Sequence, residues 1–142
     1  MKIAMLFLSC FIISSNAFAF SSEGYDPSKE KTYVEIVVTE AAGEGKEGCL
    51  AVAEVLRNRG WSTQGFAGLL RNDRFLARQP RSVLNTAREC LRIAESGSNT
   101  VRGATHFENI RAFGKPKWAH AMKEICTVGR HTFYKELSVT EK

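Results

Sequence analysis

The apolar residues of this 142-residue chain fall into helical stripes separated by glycine-rich breaks. Residues 31–41 place three valines and an alanine at i, i+3, i+4 and i+7, which is the spacing of one helix face. Residues 43–46, with two glycines, end this helix. Residues 47–59 predict a second helix, which Gly60 stops. Because its first half is apolar nearly all round, we expect it to be the central helix of the core.

The middle of the chain predicts one more long helix. Ser82 caps a helix over residues 82–96. Before it, we expect a short helix over residues 62–70, capped by Ser62, and an irregular basic stretch over residues 71–79. The inward face of the long helix carries Leu84, Ala87, Leu91 and Ala94.

The C-terminal third is predicted to mix extended segments with one helix. Residues 100–107 predict a strand or extended loop, and residues 129–134 predict an extended segment. Between them, Pro116 suits the first turn of a helix. The apolar positions of that helix are Trp118, Ala121, Met122 and Ile125. The whole pattern predicts a single α+β domain, mainly helical, with a small β element.

The ends of the chain predict an exported protein. Residues 1–19 have the positive start, the short apolar stretch and the Ala17-Phe18-Ala19 cleavage site of a signal peptide. The apolar stretch is too short to span a bilayer, so we expect no stable membrane insertion after signal cleavage. Cys10 leaves a lipoprotein alternative open, although the residues before it fit a lipobox poorly. The remaining chain is predicted to comprise a flexible leader over 20–31, a folded domain over 32–136 and a tail over 137–142.

The formal net charge of +5 bears on the class of partner. A basic exported protein is attracted to anionic polymers, and both cell wall and nucleic acid qualify. The charge is equally consistent with a role in solubility alone. Because the chain has no zinc, helix-turn-helix or RNP-like pattern, we expect no nucleic-acid partner.

The cysteines and histidines lack the spacings that are typical of metal and redox sites. Beyond the signal, the chain keeps Cys49, Cys90 and Cys126, and an odd number allows at most one internal disulfide plus a free thiol. Cys49 and Cys90 lie among apolar residues, so we expect at least one buried free thiol. No C-x-x-C pair is present, and His106, His120 and His131 match no zinc-binding spacing. We therefore predict no metal and no other cofactor.

Glu40, at the end of the first predicted helix, is the most informative residue. A carboxyl group half-sheltered by apolar neighbours keeps its proton longer than one in water, because burial penalises the charged form. A protonated acid at an open helix end is what cleavage of a glycosidic bond requires. A solvated glutamate at a helix end is the ordinary alternative.

Three blocks of sequence follow one another between Glu40 and Tyr134. They are Glu40-Ala41-Ala42-Gly43-Glu44-Gly45, with Glu47-Gly48, Ala51-Val52-Ala53-Glu54-Val55 and Asn58-Arg59; then Arg102-Gly103-Ala104-Thr105-His106-Phe107; then Gly129-Arg130-His131-Thr132-Phe133-Tyr134. In this order they resemble the motifs of the bacterial spore-cortex-lytic enzymes and related cell wall hydrolases. The resemblance covers residues 32–134. Where that family often continues with F-Y-N-P, this chain has Phe107-Glu108-Asn109-Ile110.

The resemblance implies a lysozyme-like catalytic domain that cleaves peptidoglycan glycan strands between N-acetylmuramic acid (MurNAc) and N-acetylglucosamine (GlcNAc), with Glu40 as the acid. Ordinary glycosidases need two carboxyl groups, but the only aspartates are Asp26, in the leader, and Asp73, in a basic loop. In lytic transglycosylases, which the resemblance implies, one glutamate acts as acid and then base while the C6 hydroxyl of MurNAc attacks internally. The alternatives are a hydrolytic muramidase and a catalytically weak cell-wall-binding protein.

Seven further residues in or near these blocks are candidates to bind the glycan. Aromatic faces stack on the apolar faces of sugar rings, although core packing is the alternative for Phe107 and Phe133. Glu44 has a second interpretation, in which it positions the loop or the first turn of the next helix. Arg59 either pairs with a carboxylate or favours the helix end. The candidate residues are Glu44, His106, Phe107, Glu108, Trp118, His131 and Tyr134.

Overall fold

The computed structural model describes residues 24–41, 43–66, 73–138 and 140. The predicted signal peptide lies outside these residues. The predicted helix over 62–70 is wrong at residues 62–66, which form a turn and not a helix, and its residues 67–70 lie outside the described part of the chain. Among the described residues, no helix is long and apolar enough to cross a membrane. The elements are α1 (Glu30–Glu40), α2 (Gly45–Asn58), α3 (Asp73–Ala77), α4 (Arg81–Glu95), β1 (His106–Glu108), α5 (Ile110–Phe113), β2 (Met122–Val128) and β3 (His131–Glu136), with 3-10 turns at Pro27–Lys29 and Lys117–Ala121.

Helices α1, α2 and α4 form the core. The predicted inward face of α1 is confirmed, because its three valines and Ala41 are buried. Tyr33 and Ile36 are buried as well, so α1 is enclosed on most sides. α2 packs against both α1 and α4, and its buried residues run from Gly48 to Leu56, which confirms it as the central helix. α4 turns Ala87, Leu91 and Ala94 inward as predicted.

The buried second half of α2 holds the loop that leads to the sheet. Glu54 is fully buried, and its Oε2 atom accepts hydrogen bonds from the Thr100 hydroxyl at 2.8 Å and the Val101 amide at 2.9 Å. Burial alone would raise the pKa of Glu54, but hydrogen bonds from this loop lower it below its ordinary value. Asn58 donates to the Ala104 carbonyl at 2.9 Å. These contacts fix the chain just before β1.

The three strands form an antiparallel sheet in the order β1–β3–β2. His106 lies opposite Tyr134, and Phe107 lies opposite Phe133. Directly opposed residues share a face of a sheet, so the first pair lies on one face and the second pair on the other. The Phe133 face packs against the helical core. The predicted α+β class, mainly helical with a small β element, is confirmed.

The predicted helix beginning at Pro116 is wrong beyond residue 121. The chain makes only a 3-10 turn there and then enters β2. β2 pairs with β3 through a tight turn at Gly129, whose φ is 58°. The ladder is irregular between Glu124 and Cys126, and the extra residue, Ile125, shifts the alternation of side chains. This irregularity hides the strand from a period-two pattern and leaves a false helical spacing.

Two expectations for the middle of the chain also change. The stretch over residues 71–79, predicted to be irregular, contains the short helix α3. α4 begins at Arg81 directly after Pro80, with no side chain bonded at its cap. Ser82 therefore lies inside the first turn and is not the N-cap. The extended conformation of Pro80 already directs the chain into the helix.

The end of the predicted leader packs onto the domain. The Tyr25 ring lies 5.4 Å from the Tyr33 ring and 4.9 Å from the Trp61 ring. Asp26 accepts a hydrogen bond from the Ser28 amide at 2.9 Å and begins the first 3-10 turn. Helical structure consequently starts before residue 32.

The described cysteines are free thiols. Cys49 and Cys90 are buried on α2 and α4, and Cys126 is partly buried on β2. Burial raises the pKa of Cys90 to about 11, so this thiol stays neutral and packs as a small apolar side chain.

Candidate active site

Glu40 is the last residue of α1, at the point where the chain turns towards α2. The Glu44 amide donates to the Ala41 carbonyl at 3.1 Å, which closes a tight turn. Gly43 and Gly45 adopt φ values of 78° and 68°, a left-handed conformation that glycine reaches without strain. The helix therefore ends sharply, and Glu40 remains partly exposed beside the buried core.

Arg59, directly after α2, brings a buried positive charge to this end of the domain. It is only 6% exposed, and its guanidinium donates to the Gln64 carbonyl at 2.7 Å and lies 4.5 Å from the centre of the Phe66 ring. Burial lowers the pKa of Arg59 to about 10, and the negative charge of Glu40 acts in the opposite direction. The two side chains are therefore electrostatic partners, which favours the carboxylate-pairing interpretation of Arg59.

One face of the sheet gathers three of the candidate residues. The Trp118 ring lies 5.4 Å from both the His106 ring and the Tyr134 ring. His106 Nδ1 lies 2.9 Å from the Thr105 hydroxyl. Burial, and after it the charge of Arg59, lower the pKa of His106 to about 4, so this imidazole is neutral at neutral pH. Tyr134 is almost fully buried, whereas Trp118 is partly exposed.

The other face places Phe107 and His131 against the core. The Phe107 ring lies 5.5 Å from Phe133 and 6.3 Å from Phe66. It also makes an edge contact with the His131 ring at 4.9 Å. This environment favours the core-packing interpretation of Phe107, which supports the site from below.

The two glutamates of the candidate set bond to the protein itself. The Glu44 side chain is 2% exposed, and its carboxylate bonds to the Arg130 amide at 2.9 Å and to His131 Nδ1 at 2.8 Å. Glu108 is half-buried and accepts a hydrogen bond from the Asn109 amide at 2.9 Å. Glu44 is thus attached to the turn between β2 and β3.

The fold brings Glu40, Arg59 and His106 into one electrostatic neighbourhood. Trp118 and Tyr134 adjoin it through His106. Arg59 was not among the candidate site residues predicted from the sequence, because a basic residue at a helix end before a glycine is ordinary. The feature of the sequence that points to it is the Asn58-Arg59 motif. No group of three or more histidine, cysteine or acidic side chains in the described part of the chain could hold a metal ion.

Two solved catalytic domains share this architecture. The catalytic domain of the Bacillus cereus SleB protein superposes with a TM-score of 0.64 at 22% identity, over 81% of this chain and 97% of that chain. The catalytic domain of the germination-specific lytic transglycosylase SleB from Bacillus anthracis gives 0.63 at 24% identity, over 79% and 98%. No family model and no curated protein matches the sequence. The chain has the SleB catalytic-domain fold, so the resemblance seen in the motifs is confirmed at the level of the fold.

Proposed function

We propose that this protein is an exported peptidoglycan-cleaving glycosidase, a lytic transglycosylase that breaks the MurNAc–GlcNAc β-1,4 bond with Glu40 as acid and base. The observation that carries the proposal is a partly exposed glutamate at the abrupt end of α1, paired electrostatically with buried Arg59. The SleB fold supports it, because one SleB neighbour is itself a lytic transglycosylase.

In the first step, protonated Glu40 donates its proton to the glycosidic oxygen as the bond to C1 of MurNAc breaks. The GlcNAc side leaves as an alcohol, and positive charge develops at C1. Glu40 becomes a carboxylate, which the nearby Arg59 charge stabilises.

In the second step, the Glu40 carboxylate removes the proton of the MurNAc C6 hydroxyl, whose oxygen attacks C1. The nucleophile is already attached to the sugar, so the enzyme does not have to hold a water molecule. The ring closes to 1,6-anhydro-MurNAc, and Glu40 regains its proton. Because Arg59 stabilises the carboxylate, it favours the proton donation of the first step and opposes the proton uptake of the second.

The surroundings of the other carboxylates support transglycosylation over hydrolysis. A hydrolytic mechanism needs a second carboxylate beside the bond. Both Glu44 oxygens are bonded to Arg130 and His131, and one Glu108 oxygen accepts the Asn109 amide. Asp26 bonds to Ser28 in the turn before α1. Of these three, Glu44 and Asp26 are held by protein groups, and Glu108 is the one that hydrolytic products would implicate.

Within the candidate binding set, the partly exposed members are best suited to touch the glycan. Trp118 offers an aromatic face for stacking on a sugar ring. His106, neutral at neutral pH, and Glu108 supply polar atoms on the same face of the sheet. Tyr134, buried on this face, packs against Trp118, and Phe107 supports the surface from the opposite face of the sheet.

Glu40→Gln tests the proposal. The amide is nearly isosteric but cannot donate an acidic proton, so clearing of purified cell walls should slow on the order of a hundredfold or more. Glu47→Gln, a charge-matched change at an exposed residue of the next helix, serves as the control and should clear walls normally. A folded Glu40→Gln protein that clears walls at the wild-type rate would remove Glu40 from the mechanism.

The products of the same digests identify the reaction. Transglycosylation releases muropeptides that end in 1,6-anhydro-MurNAc, each lighter by one water than the hydrolytic product, and mass spectrometry separates the two. Mainly reducing-end MurNAc would mean hydrolysis by a muramidase. Wall binding without any released fragment would mean a wall-binding protein.

A further inference from the structure

We infer that Glu44 is a positioning residue: its buried carboxylate fastens the loop after Glu40 to the turn between β2 and β3 and so fixes where Glu40 meets the glycan. This inference rests on the proposed role of Glu40. It gives Glu44 no direct part in the chemistry.

The carboxylate of Glu44 is enclosed by its partners. Its side chain is 2% exposed. Oε1 accepts hydrogen bonds from the Arg130 amide at 2.9 Å and from Arg130 Nε at 3.2 Å, and Oε2 lies 2.8 Å from His131 Nδ1. A buried carboxylate without such partners would be strongly destabilising. The contacts with Arg130 and His131 at the turn therefore compensate for the burial of Glu44.

Two glycines make the space that Glu44 occupies. A Cβ atom added to Gly48 would lie 2.5 Å from Glu44 Cβ, and one added to Gly129 would lie 3.1 Å from Glu44 Cδ. Gly129 also has a φ of 58°, which a residue with a side chain adopts only under strain. Gly48 from α2 and Gly129 from the hairpin therefore form one cradle around this side chain.

The contacts of Glu44 with Arg130 and His131, which we call the clamp, act on Glu40 through a short stretch of chain. The Glu44 amide bonds to Ala41, the residue next to Glu40, so the loop can shift only if this turn shifts. On its far side, His131 contacts Phe107, and Phe107 in turn contacts Phe66, which lies under Arg59. Glu44 thus joins the backbone that carries Glu40 to the packed rings beneath its electrostatic partner.

The Glu44 side chain is 2% exposed and its carboxylate makes three contacts with Arg130 and His131, so it is enclosed by the protein instead of facing a substrate. Replacement by glutamine keeps an oxygen for Arg130, and its amide group can donate to a neutral His131. Replacement by alanine removes both attachments. The two substitutions therefore distinguish a positioning role of Glu44 from a direct role in the reaction.

We expect Glu44→Ala to lower kcat on soluble peptidoglycan fragments by about tenfold to a hundredfold, because small displacements of a catalytic group are costly. KM should stay within about twofold, since the sugar-contacting surface is unchanged. Glu44→Gln should keep kcat within about threefold, and Glu47→Gln is again the charge-matched control. His131→Ala should lower kcat in the same direction, and the double variant with Glu44→Ala should be no worse than the worse single variant.

Hydrogen exchange supplies a readout that needs no substrate. The Arg130 amide, bonded to Glu44, should exchange faster in Glu44→Ala and stay protected in Glu44→Gln. If Glu44→Ala does not fold, His131→Ala and Glu44→Gln decide by the same two measurements. An unchanged kcat in folded Glu44→Ala would overturn the inference. So would a Glu44→Gln protein as inactive as Glu40→Gln with its Arg130 amide still protected, since Glu44 would then react directly. Failure of the Glu40 proposal would leave the exchange result standing, so the two failures are distinguishable.

Discussion

At the scale of single residues, one buried guanidinium organises the electrostatics of the site. Arg59 interacts with the negative charge of Glu40 and disfavours a second positive charge on His106. Burial and then this charge lower the pKa of His106 to about 4 from an ordinary value of 6.5. The folded protein therefore holds His106 as a neutral imidazole under conditions where the unfolded chain would protonate it.

His106 should make the fold sensitive to acid. Between pH 6.5 and about 4 the unfolded chain binds a proton at this residue and the folded chain does not, so protonation favours unfolding. The contribution of neutral His106 to the free energy of unfolding is complete above pH 6.5 and is lost as the pH falls towards 4. By pH 5 the loss is about 2 kcal/mol. Urea unfolding at pH 7 and pH 5 measures it.

The comparison that isolates this residue uses His106→Gln, which keeps a polar side chain of similar length. Its stability should fall less between the two pH values than that of the wild type. His120→Gln, at an exposed position, should behave like the wild type. Equal losses in all three proteins would assign the acid sensitivity to other groups.

At the scale of elements, the junction between α1 and α2 depends on close packing with the β2–β3 turn. α2 begins with a turn whose fourth residue, Gly48, touches Glu44. Glycine inside a helix usually weakens it relative to alanine. Here the missing methyl group makes room for the Glu44 side chain from the preceding loop. α2 therefore contains a glycine that weakens the helix because tertiary packing requires the space.

Gly48→Ala should therefore destabilise the protein, although alanine has a higher helix propensity than glycine. The added Cβ would lie 2.5 Å from Glu44 Cβ, close to the backbone, where a side-chain rotation cannot relieve it. Overpacking of this kind should lower the free energy of unfolding by about 1–3 kcal/mol. Gly24→Ala, with nothing within 4 Å of its added Cβ, is the matched control. A Gly48→Ala protein as stable as the wild type in urea would show that the junction relaxes easily.

At the scale of the whole molecule, the basic charge is unevenly distributed. Residues 109–123 hold four arginines and lysines and no acidic residue, and they include Trp118 beside the candidate site. Within them Phe113 is 60% exposed. A positive surface next to the site attracts an anionic polymer such as peptidoglycan, which agrees with the proposed substrate.

Export stays a prediction, because residues 1–19 lie outside the described part of the chain. If the signal is cleaved after Ala19, the protein recovered from outside the cytoplasm should begin at Phe20. Mass spectrometry of the intact exported protein measures this directly. A chain that retains Met1, or one that carries lipid on Cys10, would contradict the predicted processing.

The sequence alone was sufficient for the helical core. α4 has apolar residues at helical spacing along one face, whereas α1 and the first half of α2 are apolar on most sides. A one-sided helix must turn that face to the core, and a helix that is apolar nearly all round must be buried within it. The position of Glu40 at the end of α1 followed from the same local pattern, because Gly43 and Gly45 can end a helix where other residues would be strained. These features depend on neighbours within a few positions along the chain.

Only the tertiary structure decided the strand β2 and the surroundings of Glu40. Met122 and Ile125 have a helical spacing, but pairing with β3 places them in a strand, and this pairing is invisible in a local pattern. The clamp on Glu44 joins residues 86 and 87 positions apart, and the charge of Arg59 reaches Glu40 and His106 only because three separate segments pack together. Burial gives these side chains their chemistry, and burial is a property of the folded chain.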